Sequence, residues 1–521
     1  MRITNNMMIR NTANNINGNK LNVNDTNNQM SSQKKIQKPS DNPVIAIRAL
    51  RLRSTLSEID QYYENNIPDA DAWLDATETA LNNMIEILKT IRTQCEYGAS
   101  GQLTTDDRNA ILSQLEKLRT QCYAEGNSDY AGRTIFTGYR TNQKLTFMTN
   151  DPLASYNITQ RLSFEDIEEY RYHSDEVTVP STLTEVMNDP ISDPQRATFD
   201  RIRLSYGDID SITGSDGTTL GAANGDQVQI AYSYTDGSGN LQTDGQLNVT
   251  VYESLEEWAA ASGGYNIQSD SAVFIKNTGE LILGDGASAT LRGSKAQFEL
   301  DYTKTGFDKG ELRPEYYYNC TNITDPANPI EYIKYDEDGN EIYQDINYFV
   351  SANQTLTVNT LASHVFDASI GRDIDAMMEA IRFAQGANDK VTRLEEMQKM
   401  EAYSSDDAQA QLELWIAAAK KERDYADDNV QKLYNEYIGH CDEYLTQVNL
   451  ALTDVGSKGD SLAVTKNRVG NQQATTEALK SDNEDRDISD IIIDYTAAYN
   501  AYQASLQAAA KINQNTLLNY I

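Results

Sequence analysis

Apolar positions fall into long helical stripes near both ends of the chain and into short alternating runs in the middle. The last stretch carries the clearest stripe. From Ile488 onward, Ile491, Ile492, Tyr495, Ala498, Tyr499, Tyr502, Leu506, Ala509, Ile512 and Leu517 recur mostly at steps of three and four, which predicts one amphipathic helix over 488–521. Asp487, Asp490 and Asp494 load its first turns with negative charge, where the helix dipole favours it. A helix this long with one apolar stripe must bury that stripe, and the candidate partner is the other end of the chain. There, Ile9, Ile16, Val23 and Met30 are spaced by sevens inside an asparagine-rich segment. Asparagine is a poor helix former. Residues 1–37 therefore read as disordered alone and helical when packed, with a plain disordered tail as the competing reading. Pro39 and Pro43 break the pattern and mark a hinge. Ser40, Asp41 or Asn42 can cap the helix that Pro43 begins.

Beyond the hinge a coiled-coil pattern runs through Ile45, Ala49, Leu52, Leu56, Ile59 and Tyr63. After one extra step of four to Ile67 it continues through Ala70, Leu74, Thr77, Leu81, Met84, Leu88 and Ile91. Gly98 and Gly101 close this helix, and Thr104 or Thr105 caps a second with Ile111, Leu115, Leu118 and Cys122 inward. Residues 134–139 and 145–147 read as a small hairpin. From about 150 to 365, β-prone runs (228–232, 247–252, 272–275, 280–283, 297–300) alternate with Asp-Gly turns at 216, 236, 244 and 338, and 254–260 reads as a short helix. Helices return at 374–384. A second heptad run follows from Leu412 through Ile416, Val430, Leu433, Tyr437, Cys441, Tyr444, Val448 and Val455, and less cleanly through Leu462, Val469 and Leu479. The expected fold is α+β and multidomain: a long antiparallel helical coiled coil or bundle built from both chain ends, with an inserted mainly-β domain. The expected divisions are a terminal segment (1–42 and 480–521), a helical rod (43–150 and 366–479) and a β insertion (151–365).

Composition narrows the function. The net charge is −34 over 521 residues; this acidity argues against nucleic acid, which needs clustered Lys and Arg. It is expected of a chain kept soluble in a crowded or exported setting. No run has the length of a membrane span, so no membrane insertion is expected. The first residues lack the apolar core of a secretory signal, so the chain is expected to stay in the cytosol or leave by a route needing no cleaved signal. The four cysteines (Cys95, Cys122, Cys320, Cys441) are widely spaced and read as buried free thiols. Thirty-one tyrosines against ten phenylalanines fit half-wet, half-packed surfaces.

Motifs for chemistry are missing. The three histidines, His173, His364 and His440, form no zinc-protease pattern, and there is no P-loop, dinucleotide fingerprint or nucleophile elbow. Residues 336–341 contain part of a calcium-loop pattern without its full ligand spacing, and a hairpin turn between Ile333 and Ile342 explains them better. No catalytic residue, metal site or cofactor is expected, and no enzyme.

Helical ends around a variable β middle resemble the bacterial flagellin superfamily. Met1-Arg2-Ile3-Thr4-Asn5 is similar to its start, and Ile36-Gln37-Lys38-Pro39-Ser40-Asp41-Asn42-Pro43 with Arg48-Ala49-Leu50 resembles a family signature. The two prolines, Thr105-Asp106-Asp107-Arg108, Ile135-Phe136-Thr137-Gly138-Tyr139 and the ending Thr516–Ile521 resemble its hook–filament junction members rather than its filament members. Ser32-Gln33-Lys34-Lys35 departs from the usual run by lacking a glycine, which puts the bend before Pro39 in doubt. The resemblance covers roughly 1–150 and 365–521. It implies export through the flagellar type III apparatus and an extracellular place in the flagellum. Its implied partners are other copies of itself in a ring, the first hook-associated protein, flagellin, and an export chaperone at the C-terminal helix. The expected assembly seam is Ile488, Ile492, Tyr495, Tyr499, Tyr502, Leu506 and Ile512, facing Ile9, Ile16, Val23 and Met30. An ordinary intramolecular bundle is the competing reading.

Overall fold

A computed structural model describes residues 5–100, 103–220, 225–235, 240–336 and 339–514, the side chains of Asn5, Asn6 and residues 512–514 excepted. The chain is α+β, with long helices near both ends and a mainly-sheet middle. In chain order the helices are α1 (Asn5–Ser32), α2 (Pro43–Asp60), α3 (Ile67–Ala99), α4 (Thr105–Glu125), α5 (Leu183–Asn188), α6 (Leu255–Ser262), α7 (Asp285–Gly293), α8 (Ala368–Lys399), α9 (Asp406–Glu484) and α10 (Ile488–Gln514). Contacts gather the chain into two compact units, one of residues 1–71, 347–357 and 458–521, the other of 72–346 and 358–457. These two units divide at 71/72, 346/347, 357/358 and 457/458. The start of the first coil and the end of the second cluster with the termini, and the β insertion clusters with the helices that pack on it.

In the first unit, α2 and residues 458–484 of α9 bury Ala46, Ala49, Leu56 and Ile59 together with Leu462, Thr465 and Val469. Leu479, at the faint end of the heptad run, is exposed. Asn42 is the cap that starts α2. Its Oδ1 accepts from the amides of Val44 (3.1 Å) and Ile45 (3.3 Å), with Pro43 at the first helical position. The extra step of four between Tyr63 and Ile67 coincides with a π-helical turn, Gln61–Asn66. Two successive steps of four require local unwinding, and the wider i→i+5 ladder supplies it. A small hairpin, Asn347–Ser351 with Gln354–Thr357, docks on this turn. Asn66 donates there to the Phe349 carbonyl at 2.7 Å, and the Tyr348 hydroxyl donates to Asp69.

The second unit has a helical part and a sheet. Leu74, Thr77, Leu81, Met84, Leu88 and Ile91 of α3 are all buried, following the predicted seam. Thr104 caps α4 in a reciprocal box with Asp107. α3 ends at Ala99, one residue past Gly98, where a Cβ would stand 2.3 Å from the Tyr434 ring; Gly101 lies outside the described residues. Cys95 Sγ lies 3.4 Å from Met377 Sδ, and Cys122 Sγ 3.7 Å from Met84 Sδ, so buried sulfur joins α3 to α8 and to α4. All four cysteines are buried free thiols.

The sheet runs through all five predicted β segments. Asp151–Ser163 pairs antiparallel with Gln297–Phe307, and Asp226–Thr235 with Leu241–Tyr252. Leu241–Tyr252 then runs parallel to Ser271–Ile275, across the crossover carrying α6. Two turn expectations are corrected. Gly245 is no turn: it sits within a strand opposite Tyr232, whose ring fills the space a Cβ would need. The hairpin expected from 134 to 147 is instead Asp129–Tyr130 with Arg133–Thr134, because Phe136 turns inward to meet Phe366 edge-on at 5.0 Å. The turn at 216–217 forms, with Gly217 at φ +80°. That at 236–237 lies outside the described residues, as do residues 337–338 of the expected hairpin turn between Ile333 and Ile342, whose flanks pair antiparallel at Tyr335 and Glu341.

Buried charges bind the sheet to the helices within this unit. Arg203 pairs with Glu168 (2.6 Å) and Asp373 (2.5 Å), and Arg201 with Glu168 (2.8 Å) and Glu280 (2.6 Å). Asp373 Oδ2 also receives His440 Nδ1 and the Tyr444 hydroxyl, each at 2.8 Å. His440 thus belongs to this network.

Candidate assembly interface

The two terminal helices lie side by side within the first unit. On α1 the half-buried positions in heptad phase are Thr12, Ile16, Asn19, Val23, Thr26 and Met30, with Asn28 and Gln29 also half-buried near its end; on α10 they are Tyr495, Ala498, Tyr502, Ser505 and Ala509, with Ile491 fully buried. Both sets alternate steps of four and three, the geometry of a coiled-coil seam. The seam is thin. Small or polar side chains (Thr12, Asn19, Thr26, Ala498, Ser505 and Ala509) fill half of it, and Asn19 Nδ2 donates to the Ala501 carbonyl at 3.3 Å. Such a pair stabilises far less than a seam of Leu and Ile, since each buried methylene contributes about 0.8 kcal/mol.

Where the helices join the rest of the unit, the chain is clasped. Lys35 N donates to the Glu484 carbonyl (2.7 Å) and Arg486 N to the Gln33 carbonyl (3.0 Å). Glu484 is buried and forked by Arg53, Nε at 2.7 Å and Nη2 at 2.5 Å, with Lys34 Nζ at 3.5 Å. Hydrogen bonding to Arg53 lowers the Glu484 pKa against the opposing effect of burial. Lys34 bonds Asp485, and Arg486 bonds Gln29 Oε1 at 2.6 Å. The left-handed turn that a missing glycine put in doubt is made all the same, by Gln33 at φ +55°. Its amide bonds the Gln29 carbonyl at 2.7 Å, closing α1. Pro39 and Pro43 lie just beyond, exposed, where Asp41 Oδ2 accepts from the Gln37 and Lys38 amides.

A second apolar stripe on α10 is left open. Ile488, Ile492 (49% exposed), Ile493 (65% exposed), Tyr499 and Leu506 face solvent. The expected seam residues therefore divide. Ile16, Val23, Met30, Tyr495 and Tyr502 line the α1–α10 contact; Ile488, Ile492, Tyr499 and Leu506 do not, and Ile9 is exposed near the start of α1. Ile512 is in α10, but its side chain lies outside the described residues, as does all of Leu517. The sequence pattern had placed both stripes on one face. They separate because 491, 495, 498, 502, 505 and 509 keep heptad phase, whereas 492, 499 and 506 sit one position beside them; Ile488 is in phase with Tyr495 but lies exposed at the first residue of α10. Ser505, polar and in phase, was the signal that could have found the inner seam.

The arrangement is one of packed helices. Among the described residues no group of three or more His, Cys, Asp or Glu could hold a metal ion, and no helix is long and apolar enough to cross a membrane. Two of the three histidines have polar partners, His364 with Glu341 at 2.6 Å and His440 with Asp373, while His173 stacks on Phe383.

Residues 3–141 match the bacterial flagellin N-terminal helical region. Flagellar hook-associated protein 3 of Salmonella typhimurium is 30% identical over 142 residues, which are 27% of this chain and 44% of that protein. Its Escherichia coli counterpart is 30% identical over 114 residues, 22% of this chain and 36% of that protein. The match thus spans less than half the length of either relative. The crystal structure of flagellar hook associated protein-3 from Legionella pneumophila aligns over 82% of this chain and 96% of its own, with 12% identity and a TM-score of 0.29. Residues 3–141 are thus similar to the flagellin N-terminal helical region, and the relatives at 30% identity are flagellar hook-associated proteins 3.

Proposed function

We propose that this chain is a structural component of the bacterial flagellum, a junction protein that joins the hook, through the first hook-associated protein, to the flagellin filament. The observation that carries the reading is the 30% identity over 142 residues to flagellar hook-associated protein 3 of Salmonella typhimurium. The open stripe on α10 supports it, since a ring of copies needs a surface the single chain leaves uncovered. In this reading the chain leaves the cell through the flagellar export apparatus, held beforehand by a chaperone on α10, and its terminal segments, joined by a thin seam in one chain, become fully stable only beside neighbouring copies. The role is mechanical and uses no catalytic residue. The terminal segments 1–42 and 480–521 are the assembly part, 43–150 with 366–479 the supporting helices, and 151–365 an outward-facing insertion.

A second reading, a filament-forming flagellin, is favoured by the flagellin description of the matched N-terminal region. A strain lacking the gene separates the two. Intact hooks that shed flagellin into the medium are expected of a missing junction. Absence of filament subunits altogether, with hooks normal, would favour the second reading and overturn the first.

A further inference from the structure

Among the many asparagines of α1, one is set apart by its neighbour. Asn17 is followed by Gly18, whereas every other asparagine of the helix precedes a residue with a side chain. Asn17 and Gly18 are both exposed, and a Cβ added at Gly18 would meet nothing within 4 Å. Asn19 is held by its bond to the Ala501 carbonyl, but the Asn17 carboxamide has no hydrogen-bond partner among the described residues. An unheld carboxamide thus stands beside a main-chain nitrogen that no side chain shields. That pairing is chemically reactive wherever the backbone is free to bend.

We propose that Asn17 is a site of spontaneous deamidation, gated by the packing of α1 on α10. The Gly18 nitrogen bonds to Asn17 Cγ and gives up its proton while the carboxamide C–N bond breaks, and ammonia leaves with that proton. Water then opens the five-membered imide at either ring carbonyl, giving aspartate or isoaspartate. The only co-reactant is water. The helix opposes the first step. It holds ψ of Asn17 near about −42° and ties the Gly18 N–H to the Asn14 carbonyl, so the ring closes only after that turn opens. Opening is fast beside ring closure, and conversion therefore runs at the free-chain rate multiplied by the fraction of time the turn is open. The thin α1–α10 seam sets that fraction, with Ile16 and Asn19 of the seam flanking the site, and Gly18 itself weakens the helix. Isoaspartate routes the main chain through the side chain and adds a backbone atom. The helical ladder cannot cross it, and Thr12 and Ile16 lose their register against α10. Time spent with α1 unpacked becomes a permanent loss of its first half.

The test is timed incubation of the full chain at mildly alkaline pH, native and in guanidinium chloride, with conversion at Asn17 read by peptide mass spectrometry and an isoaspartate assay. Conversion is expected to be at least about tenfold slower in the native chain than in the denatured one. Ile491→Asp, which frees α10 from α1, is expected to raise the native rate at least about threefold. Gly18→Ala is expected to slow conversion even in guanidinium, because its methyl group hinders the attack. After ageing in guanidinium and refolding, the parent is expected to lose hydrogen-exchange protection over 5–16. Asn17→Gln, aged alike and still carrying the chain's other Asn-Gly pair, Asn224-Gly225, is expected to keep it. Equal native and denatured rates, or a native rate unchanged in Ile491→Asp, would overturn the gate. No conversion at Asn17 in guanidinium would overturn the site. Converted chains that refold α1 as well as Asn17→Gln does would overturn its structural consequence.

Discussion

Gln33 holds a left-handed conformation that a side chain pays for with about 1–2 kcal/mol relative to glycine. Its amide and carbonyl both serve the clasp, so the strain is held in place by the Gln29 and Arg486 bonds. Gln33→Gly is expected to raise the protection of α1 and α10 against hydrogen exchange by about three- to tenfold. A fall in protection would show that the Gln33 side chain matters more than its backbone. At His440, burial lowers the pKa, but the hydrogen bond and charge of Asp373 raise it further, and the net shift is upward from 6.5. A raised folded-state value means stability that is complete below the unfolded value and lost as pH climbs through the folded one. The loss of stability in His440→Gln, read from urea midpoints, is thus expected to be larger near roughly pH 5.5 than near roughly pH 9. An equal loss at both would deny the His440–Asp373 coupling. Neither residue was legible in these roles: φ leaves no mark at a Gln, and Asp373 comes to His440 from 67 positions away.

The helices were the most readable elements, because their seams repeat. The first coil could be followed residue by residue, and its one irregular step marked the π turn. The strands Asp151–Ser163, Glu168–Ser174 and Gln195–Arg203 were not predicted: their inward positions include Gln160 and Arg201, which are buried through hydrogen bonds and ion pairs rather than by apolar character. On α10, period alone could not tell two neighbouring stripes apart, since the deciding quantity is which face α1 occupies. That division yields a paired prediction. Ile491→Asp is expected to release α10 from α1 in the monomer, because it buries an unpaired charge in the inner seam. Ile492→Asp is expected to leave the monomer's circular dichroism unchanged while blocking association. If both substitutions melt the terminal helices, the outer stripe is already in use within one chain. If neither affects association, the stripe is idle.

At the scale of the whole molecule, the order of helical ends around an inserted sheet was legible from the switch between helical and alternating periods. The gathering of 347–357 with the termini was not, because a short hairpin carries no long-range signature. The central claim is that the terminal helices, joined in one chain by a thin seam, gain their full stability only when a second copy covers α10. Hydrogen exchange resolved along the chain, on dilute monomer and on associated protein, tests it most directly. The account predicts that residues 5–32 and 488–514 exchange far faster in the monomer than residues 67–99 of α3, and become protected on association. Full protection of both terminal helices in the dilute monomer, unchanged on association, would contradict it.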